Sequence, residues 1–286
     1  MTDNYYITYK GAIMAKLRRL WVSVSGGRTS AYMAYKLKEL YSHKYDLKFI
    51  YANTGLEHEE TLLFLNRIDK QFGLNLIWVE AVINKQWGKG TTHKVVNFES
   101  ACRNGRLFEQ MIDVYGIPNQ AYPHCNRELK INAMKSYVKS IGWDKEFRAI
   151  GIRIDEAGRC SEKASIERKM YPLVDFFETD KEDVLRWFSN KDYDLNIPDY
   201  LGNCVTCWKK TDTKILRIIN DEPSRFDFFK RMEAEKGLSG HNVDGTKRKF
   251  FRKHRGVVDM FNLKDVLQEL DFDSVDRCSS EECGLE

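Results

Sequence analysis

A six-residue run, Ser25-Gly26-Gly27-Arg28-Thr29-Ser30, leaves an apolar alternation at Leu20, Val22 and Val24 and enters Ala31-Tyr32-Met33-Ala34. The order is strand, glycine turn, helix start. Glycine permits positive φ and close backbone approach, and the N–H groups of a helix N-terminus supply partial positive charge, so the run can cradle a phosphate. The bland alternative is an ordinary βα turn with a capping serine. Two other phosphate loops are excluded by spacing, since neither G-x-x-x-x-G-K nor G-x-G-x-x-G is present here. Far downstream, Cys204-Val205-Thr206-Cys207 puts two thiols on one tight turn. That spacing suits a shared metal, a redox dithiol or two reduced structural thiols. Between Lys247 and Arg255 six of nine residues are Lys or Arg, with Phe250, Phe251 and His254 interleaved. Such a stretch can track a phosphate backbone and stack bases. It can equally be a solvated loop or a lid.

The elements that must position these groups follow from periodicity. A helix is predicted from Thr29 to Leu40, a strand from Leu47 to Ala52 ending at Asn53-Thr54-Gly55, a helix from Glu57 to Phe72 and a strand from Leu74 to Val79. Alternating strands and helices imply parallel pairing with right-handed crossovers, an α/β doubly wound sheet. Ligands collect at the carboxyl ends of such strands, which sets Ser25–Ser30 and Asn53–Gly55 on one rim. Residues 81–122, broken by Gly88-Lys89-Gly90, Asn104-Gly105 and Gly116-Ile117-Pro118, read as an insertion over that rim with a helix at Arg106–Tyr115. A helix from Asn126 to Ser140 and a strand from Phe147 to Ile152 resume the rhythm, and the strand delivers Gly151, Arg153 and Glu156 to the same rim. The domain boundaries are then an extension at 1–14, a nucleotide-binding α/β domain at 15–180, a helical region at 181–270 and an acidic tail at 271–286. Within the helical region, helices are expected at about 181–188, 213–220, 225–236 and 263–270.

Taken in order, Ser25-Gly26-Gly27-Arg28-Thr29-Ser30, Thr54-Gly55 with Glu60-Thr61, Cys125-Asn126-Arg127-Glu128-Leu129-Lys130, Gly151-Ile152-Arg153 with Glu156, Tyr171-Pro172-Leu173 and Cys204-x-x-Cys207 form a collinear series over about residues 20–210. The series resembles the phosphoadenosine phosphosulfate (PAPS) reductase family of the PP-loop, adenine nucleotide alpha-hydrolase-like superfamily. The resemblance implies a Rossmann-like sheet whose loop holds the phosphate or sulfate end of an adenine nucleotide (PAPS, APS or ATP). Arg153, with Arg28 and Lys130, would supply cationic donors. The ending Glu282-Cys283-Gly284-Leu285-Glu286 is similar to the family's E-C-G-L-H tail, whose cysteine attacks the sulfate sulfur and is later resolved by thioredoxin. On that resemblance Cys283 is the nucleophile and the reaction is reduction of an adenylyl sulfate to sulfite. Glu286 stands where the family has histidine, and Thr29 where PP-loop pyrophosphatases have aspartate. The alternative within the superfamily is an ATP-dependent sulfurtransferase acting on tRNA or DNA, with Lys247–Arg255 meeting the nucleic acid. A non-catalytic nucleotide-binding module is the third reading.

In cluster-bearing members of the family a Cys-Cys pair joins the C-x-x-C around four irons. Here Cys125 aligns with that pair beside Cys204 and Cys207, with His124, Cys160, Cys278 or a substrate as fourth ligand. A second quartet, Cys204, Cys207, Cys278 and Cys283, would be a zinc or Fe-S staple for the tail. Cys102 reads as an ordinary thiol. The chain has 286 residues, 42% of them hydrophobic, enough for a well-packed core, and its net charge of +4 is too small to indicate nucleic-acid binding by itself. No apolar run approaches membrane-spanning length and the polar start has no signal-peptide core, so a cytoplasmic protein without a membrane partner is expected. The seven cysteines are then thiols, ligands or redox groups rather than structural disulfides.

Overall fold

The computed structural model describes residues 6–9, 12–15, 17–240, 245–252 and 255–267. A small antiparallel hairpin, β1 (Tyr6–Tyr9) with β2 (Ala12–Ala15), precedes the main sheet. Strand β3 (Arg18–Val24) pairs in parallel with β4 (Tyr45–Asn53) on one side and β7 (Phe147–Ala149) on the other. Strand β5 (Ile77–Ile83) adds in parallel to β4, and β8 (Lys169–Met170) in parallel to β7. The order β6-β5-β4-β3-β7-β8 closes at one edge with β6 (Thr91–Val96), antiparallel to β5. The chain is therefore α/β with a mostly parallel, doubly wound sheet. Trp21 and Ser23 are buried together with Leu20, Val22 and Val24, because helices cover both faces of a central parallel strand.

Helices α1 (Arg28–Tyr41) and α2 (Glu59–Phe72) carry the crossovers between β3, β4 and β5. His58 caps α2 by accepting the Glu60 N–H at Nδ1, and the carboxylates of Glu59 and Glu60 sit in its first turn, where the helix dipole favours them. The segment 81–122 does more than cover the rim, since it supplies β6 as well as α3 (Arg106–Tyr115). The helix expected at 126–140 is a π-helical stretch, Asn126–Asn132, running into α4 (Ala133–Ser140). Beyond the sheet come α5 (Pro172–Asp175), α6 (Lys181–Ser189), α7 (Asp212–Asp221), α8 (Asp227–Lys236) and α9 (Val257–Leu267). These helices are not a separate body. Phe188, Ile215, Phe229, Phe251 and Met260 belong to the same buried cluster as Val22, Leu65 and Met134.

The chain leaves β3 toward β4 and β5 and later returns to β7 on the opposite flank, so the boundary between β3 and β7 is the topological switch point. Both loops leaving that boundary, Ser25–Ser30 and Ile150–Arg153, are the loops singled out from sequence. Their approach is close. A side chain at Gly151 would put its Cβ 3.3 Å from the Ser30 Cα.

Candidate active site

The loop after β3 is built around Gly26, whose φ of +89° lies in the left-handed region and whose missing Cβ would stand 2.5 Å from the Thr61 Cγ2 on α2. Only glycine meets both demands. Ser25 is not the cap of α1: that place belongs to Gly27, which offers no side-chain hydrogen bond, and no acidic residue lies in the first turn. Instead Ser30 Oγ accepts from Ser25 N and Ser25 Oγ, each at 3.0 Å, and donates to the Gly27 carbonyl, folding the loop over the helix end. A helix N-terminus without a competing carboxylate is an anion site.

A cavity of ≈ 80 Å³ lies over this loop, lined by Ser25, Gly27, Arg28, Thr29 and Ser30 on one side and by Gly151, Glu156 and Arg159 on another. The third wall was not foreseen. It comes from Ile197, Pro198, Asp199, Gly202 and Asn203 and from Cys207, Lys209, Lys210 and Lys214, so the helical region brings three lysines to the cavity. The sequence signal was the Lys209-Lys210 pair one residue beyond the C-x-x-C turn. Arg153, at 1% exposure, is buried and does not line the cavity itself. Its guanidinium donates to Thr29 Oγ1 at 2.9 Å and to both Asp155 carboxylate oxygens at 3.0 Å, and it pairs with Glu156 at 3.4 Å. Burial pushes the Asp155 carboxyl up, and the hydrogen bonds and charge of Arg153 more than offset this, holding it below the usual range. Arg153 thus ties the β7 loop to α1, a role in addition to charge.

Other predicted residues are placed differently. Arg28 lines the cavity, but its guanidinium forks onto Asp194 at 2.6 and 3.0 Å and onto the Leu195 carbonyl at 2.5 Å. Asn53 points inward, donating to Glu80 at 2.7 Å and to the Cys102 carbonyl at 2.9 Å. The N–H groups of Thr54, Gly55 and Leu56 all converge on the Glu57 carboxylate at 3.0–3.3 Å, and Thr54 Oγ1 donates to it at 2.6 Å. The chain's own carboxylate therefore fills the donors that the sequence reading offered to a nucleotide. Asn53, Thr54, Gly55 and Lys130 do not line the cavity over Ser25–Ser30.

Thr54 and Lys130 instead face a second, apolar cavity of ≈ 20 Å³. Cys125, Cys204 and Cys207 line it with Phe108, Trp208, Phe229 and Phe250. The C-x-x-C turn is pinned against the β4 loop by the Val205 N–H to the Leu56 carbonyl at 3.1 Å. Cys204 Sγ is 3.1 Å from Thr54 Oγ1 and donates to Glu57 Oε1 at 3.7 Å, so thiol and hydroxyl share the one carboxylate. Cys125 Sγ accepts the Trp208 indole N–H at 3.4 Å. Cysteine spacing alone could not show that residues nearly eighty positions apart share a wall. Among the described residues no group of three His, Cys, Asp or Glu side chains is placed to hold an ion, and Cys278, the fourth member of the expected set, lies outside them. His124 stacks on Tyr122, and Cys160 packs with Ile150, Ile152 and Tyr171 instead. Cys278, Cys283 and the acidic tail lie outside the described residues.

The basic stretch is a strap rather than a free surface. Phe250 and Phe251 are fully buried, and Phe250 stacks on Phe229 with centroids 3.5 Å apart. Arg252 and Arg255 pair with Asp212, Lys249 with Asp259, and Arg248 donates to the Tyr115 carbonyl. Those rings are unavailable for base stacking. Lys253 and His254 lie outside the described residues.

No family model matches the chain. It is similar to the nin region protein ORF290 of Escherichia phage lambda, 28% identical over 260 residues, covering 89% of this chain and 87% of the phage protein. Protein MJ0973 of Methanocaldococcus jannaschii is 25% identical over 261 residues, which cover 86% of this chain and 54% of MJ0973, about half of that protein's length. Among solved structures, the U34-tRNA thiolase NcsA from Methanococcus maripaludis with its 4Fe-4S cluster is 14% identical, covering 94% of this chain and 79% of NcsA at a TM-score of 0.39. A likeness that weak carries no argument about function. No helix among the described residues is long and apolar enough to cross a membrane.

Proposed function

We propose that the chain is a PP-loop-type enzyme that binds an adenine nucleotide by its phosphates over Ser25–Ser30 and couples it to sulfur transfer onto a nucleic-acid acceptor. One observation carries the reading: Cys207 and Lys209 line both the phosphate cavity and the thiol cavity, so a nucleotide and a sulfur nucleophile would meet across one wall. ATP would activate an acceptor oxygen by adenylylation, and sulfur would then displace AMP. Glu156 brings to the cavity a carboxylate that Thr29 does not, which suits handling of a polyphosphate. Arg159, Lys209 and Lys210 are the cations that would meet the acceptor, in place of the strap.

The tail motif around Cys283 favours a second reading, reduction of an adenylyl sulfate with a thioredoxin-like dithiol as reductant. One pair of assays separates the two. Purified protein is given ATP, a sulfide donor and bulk tRNA or DNA, and AMP and pyrophosphate are measured. In parallel it is given PAPS or APS with reduced thioredoxin, and sulfite is measured. AMP and pyrophosphate formation that depends on nucleic acid is the expected result. Sulfite release that disappears in Cys283→Ser would overturn it in favour of the reductase. Tight nucleotide binding with neither product would leave a non-catalytic module.

A further inference from the structure

We propose that the β5–β6 hairpin is a docking surface for single-stranded nucleic acid, with Trp87 at its tip stacking on a base and Lys85, Lys89 and Lys94 meeting the phosphates. The inference rests on the nucleic-acid acceptor of the proposed function and adds the surface and the form of the strand. Position is the first reason. Val24, Tyr51 and Trp78 stand side by side on β3, β4 and β5; β3 ends there in the loop Ser25–Ser30, while β5 runs on to Ile83. At ~3.3 Å per residue the hairpin rises roughly 16 Å above that level, displaced from β3 by two strand spacings, about 10 Å. A strand held at the tip therefore lies on the rim that carries the phosphate loop. The tip itself stands clear of the body. A Cβ on Gly88 or Gly90 would meet nothing within 4 Å among the described residues.

Exposure and charge are the second reason. Trp87 is 59% exposed, whereas Trp21, Trp78, Trp143 and Trp208 are all buried. A bare indole ring can stack on a base whose own face is uncovered, which a single strand offers and a duplex does not. Lys85 and Lys89 flank the ring two residues to either side, and Lys94 follows on β6; all three are exposed, and none is in an ion pair among the described residues. Lys94 stands opposite Glu80 in the β5–β6 register, but that carboxylate is buried and accepts from Asn53 at 2.7 Å and from the Cys102 N–H at 2.6 Å. Lys85 and Lys94 share with Glu80, and with Arg106 and Asp113 of α3, a groove of ≈ 430 Å³. Asp113 is paired with Lys236 at 2.6 Å, while exposed Arg106 has no ion pair among the described residues. The groove thus continues the hairpin's unpaired positive charge, as a phosphate backbone requires. The strap at 247–255 is the reverse case, with buried rings and paired cations. A lysine on an edge strand also hinders pairing with another sheet edge, which accounts for Lys94 but not for a bare ring between two lysines.

The test uses the full chain with fluorescein-labelled oligouridylate and oligothymidylate of about 20 nucleotides, longer than one binding site, and a duplex of the same length. Binding is followed by anisotropy at several salt concentrations. Wild type should bind a single strand, RNA or DNA, more tightly than the duplex. Trp87→Ala should weaken single-strand binding about 5–150-fold, the range that alanine substitution gives for base stacking, and Trp87→Phe should keep most of it. Replacing Lys85, Lys89 and Lys94 together by glutamine should lower the slope of log affinity against log salt by about 2. Lys139→Gln, in the last turn of α4 at the opposite end of the sheet, should change neither quantity. Melting curves show whether the variants fold. Photo-cross-linking of a thiouridine-substituted oligouridylate to wild type, which should map to the peptide holding Trp87, decides the matter without them. Absence of single-strand binding at low salt, preference for the duplex, variants that bind as wild type does, or cross-links confined to other peptides would each overturn the proposal. Nucleic-acid-dependent AMP formation with single-strand affinity unchanged in Trp87→Ala refutes this inference alone. Single-strand affinity lost in Trp87→Ala, with no AMP formed on any nucleic acid by wild type, refutes the proposed function alone.

Discussion

Replacing Gly26 by alanine tests the phosphate loop where its geometry is most demanding. The backbone there has φ +89°, and the added Cβ would lie 2.5 Å from Thr61 Cγ2 and 3.3 Å from Leu65 Cδ1. Holding a non-glycine residue in left-handed conformation costs about 1–2 kcal/mol. Thr61 and Leu65 are core residues at 1% and 0% exposure, so neither can swing into solvent, and forcing them apart costs a further ~1–3 kcal/mol. Together these give about 2–5 kcal/mol against a total stability of roughly 5–15 kcal/mol. Thermal melting by circular dichroism should then fall by about 3–8 °C in Gly26→Ala. Gly27 is the internal control. Its φ of −90° is ordinary, and an added Cβ would meet only Ser25 Oγ at 3.8 Å. Gly27→Ala should melt within about 2 °C of wild type, since surface-like changes stay near ±0.5 kcal/mol. Equal melting temperatures for wild type and Gly26→Ala, or equal losses at both glycines, would refute this account of the loop.

Arg153→Met removes a buried cation from Asp155, Glu156 and Thr29; it should cost about 3–5 kcal/mol in urea denaturation and abolish nucleotide binding by calorimetry. Phe250→Ala should cost about 3–5 kcal/mol, as a core truncation does, and leave the salt dependence of any nucleic-acid binding unchanged in a filter assay. Burial, then Arg127 and Arg248, push the His124 imidazole from 6.5 down to about 4. The unfolded chain therefore binds the extra proton between those values, so stability from this group is complete above 6.5 and is lost as pH falls toward 4. His124→Gln should flatten the urea midpoint over that window, and an unchanged pH profile would show that the ring titrates normally.

Much of the fold was legible because it is written in local periodicity and turn chemistry. Central strand β3, helices α1 and α2 and helices α6 to α8 fall where apolar spacing and breakers put them, whereas α9 starts at Val257, six residues before the expected Leu263. Edge strand β6 escaped notice because Thr91–Val96 follows the glycine-rich turn Gly88-Lys89-Gly90 and exposes much of its surface, leaving little apolar signal. The loop at Ser25–Ser30 was equally visible, since left-handed glycine and an uncapped helix start are properties of a few adjacent residues.

Pairings across the chain were settled only by folding. Sequence offered Thr54 and Gly55 as nucleotide donors, and Glu57, a few residues away, turned out to satisfy them. It offered Phe250 and Phe251 as stacking platforms, and packing against Phe229 made them core. It could align Cys125 with Cys204 and Cys207, but not show that they line one cavity with Phe108, Trp208, Phe229 and Phe250. A short loop's conformation is decided by its own φ preferences, which residue type encodes directly. Which distant side chains meet is decided by burial summed over the whole core, and that sum exists only in the folded chain.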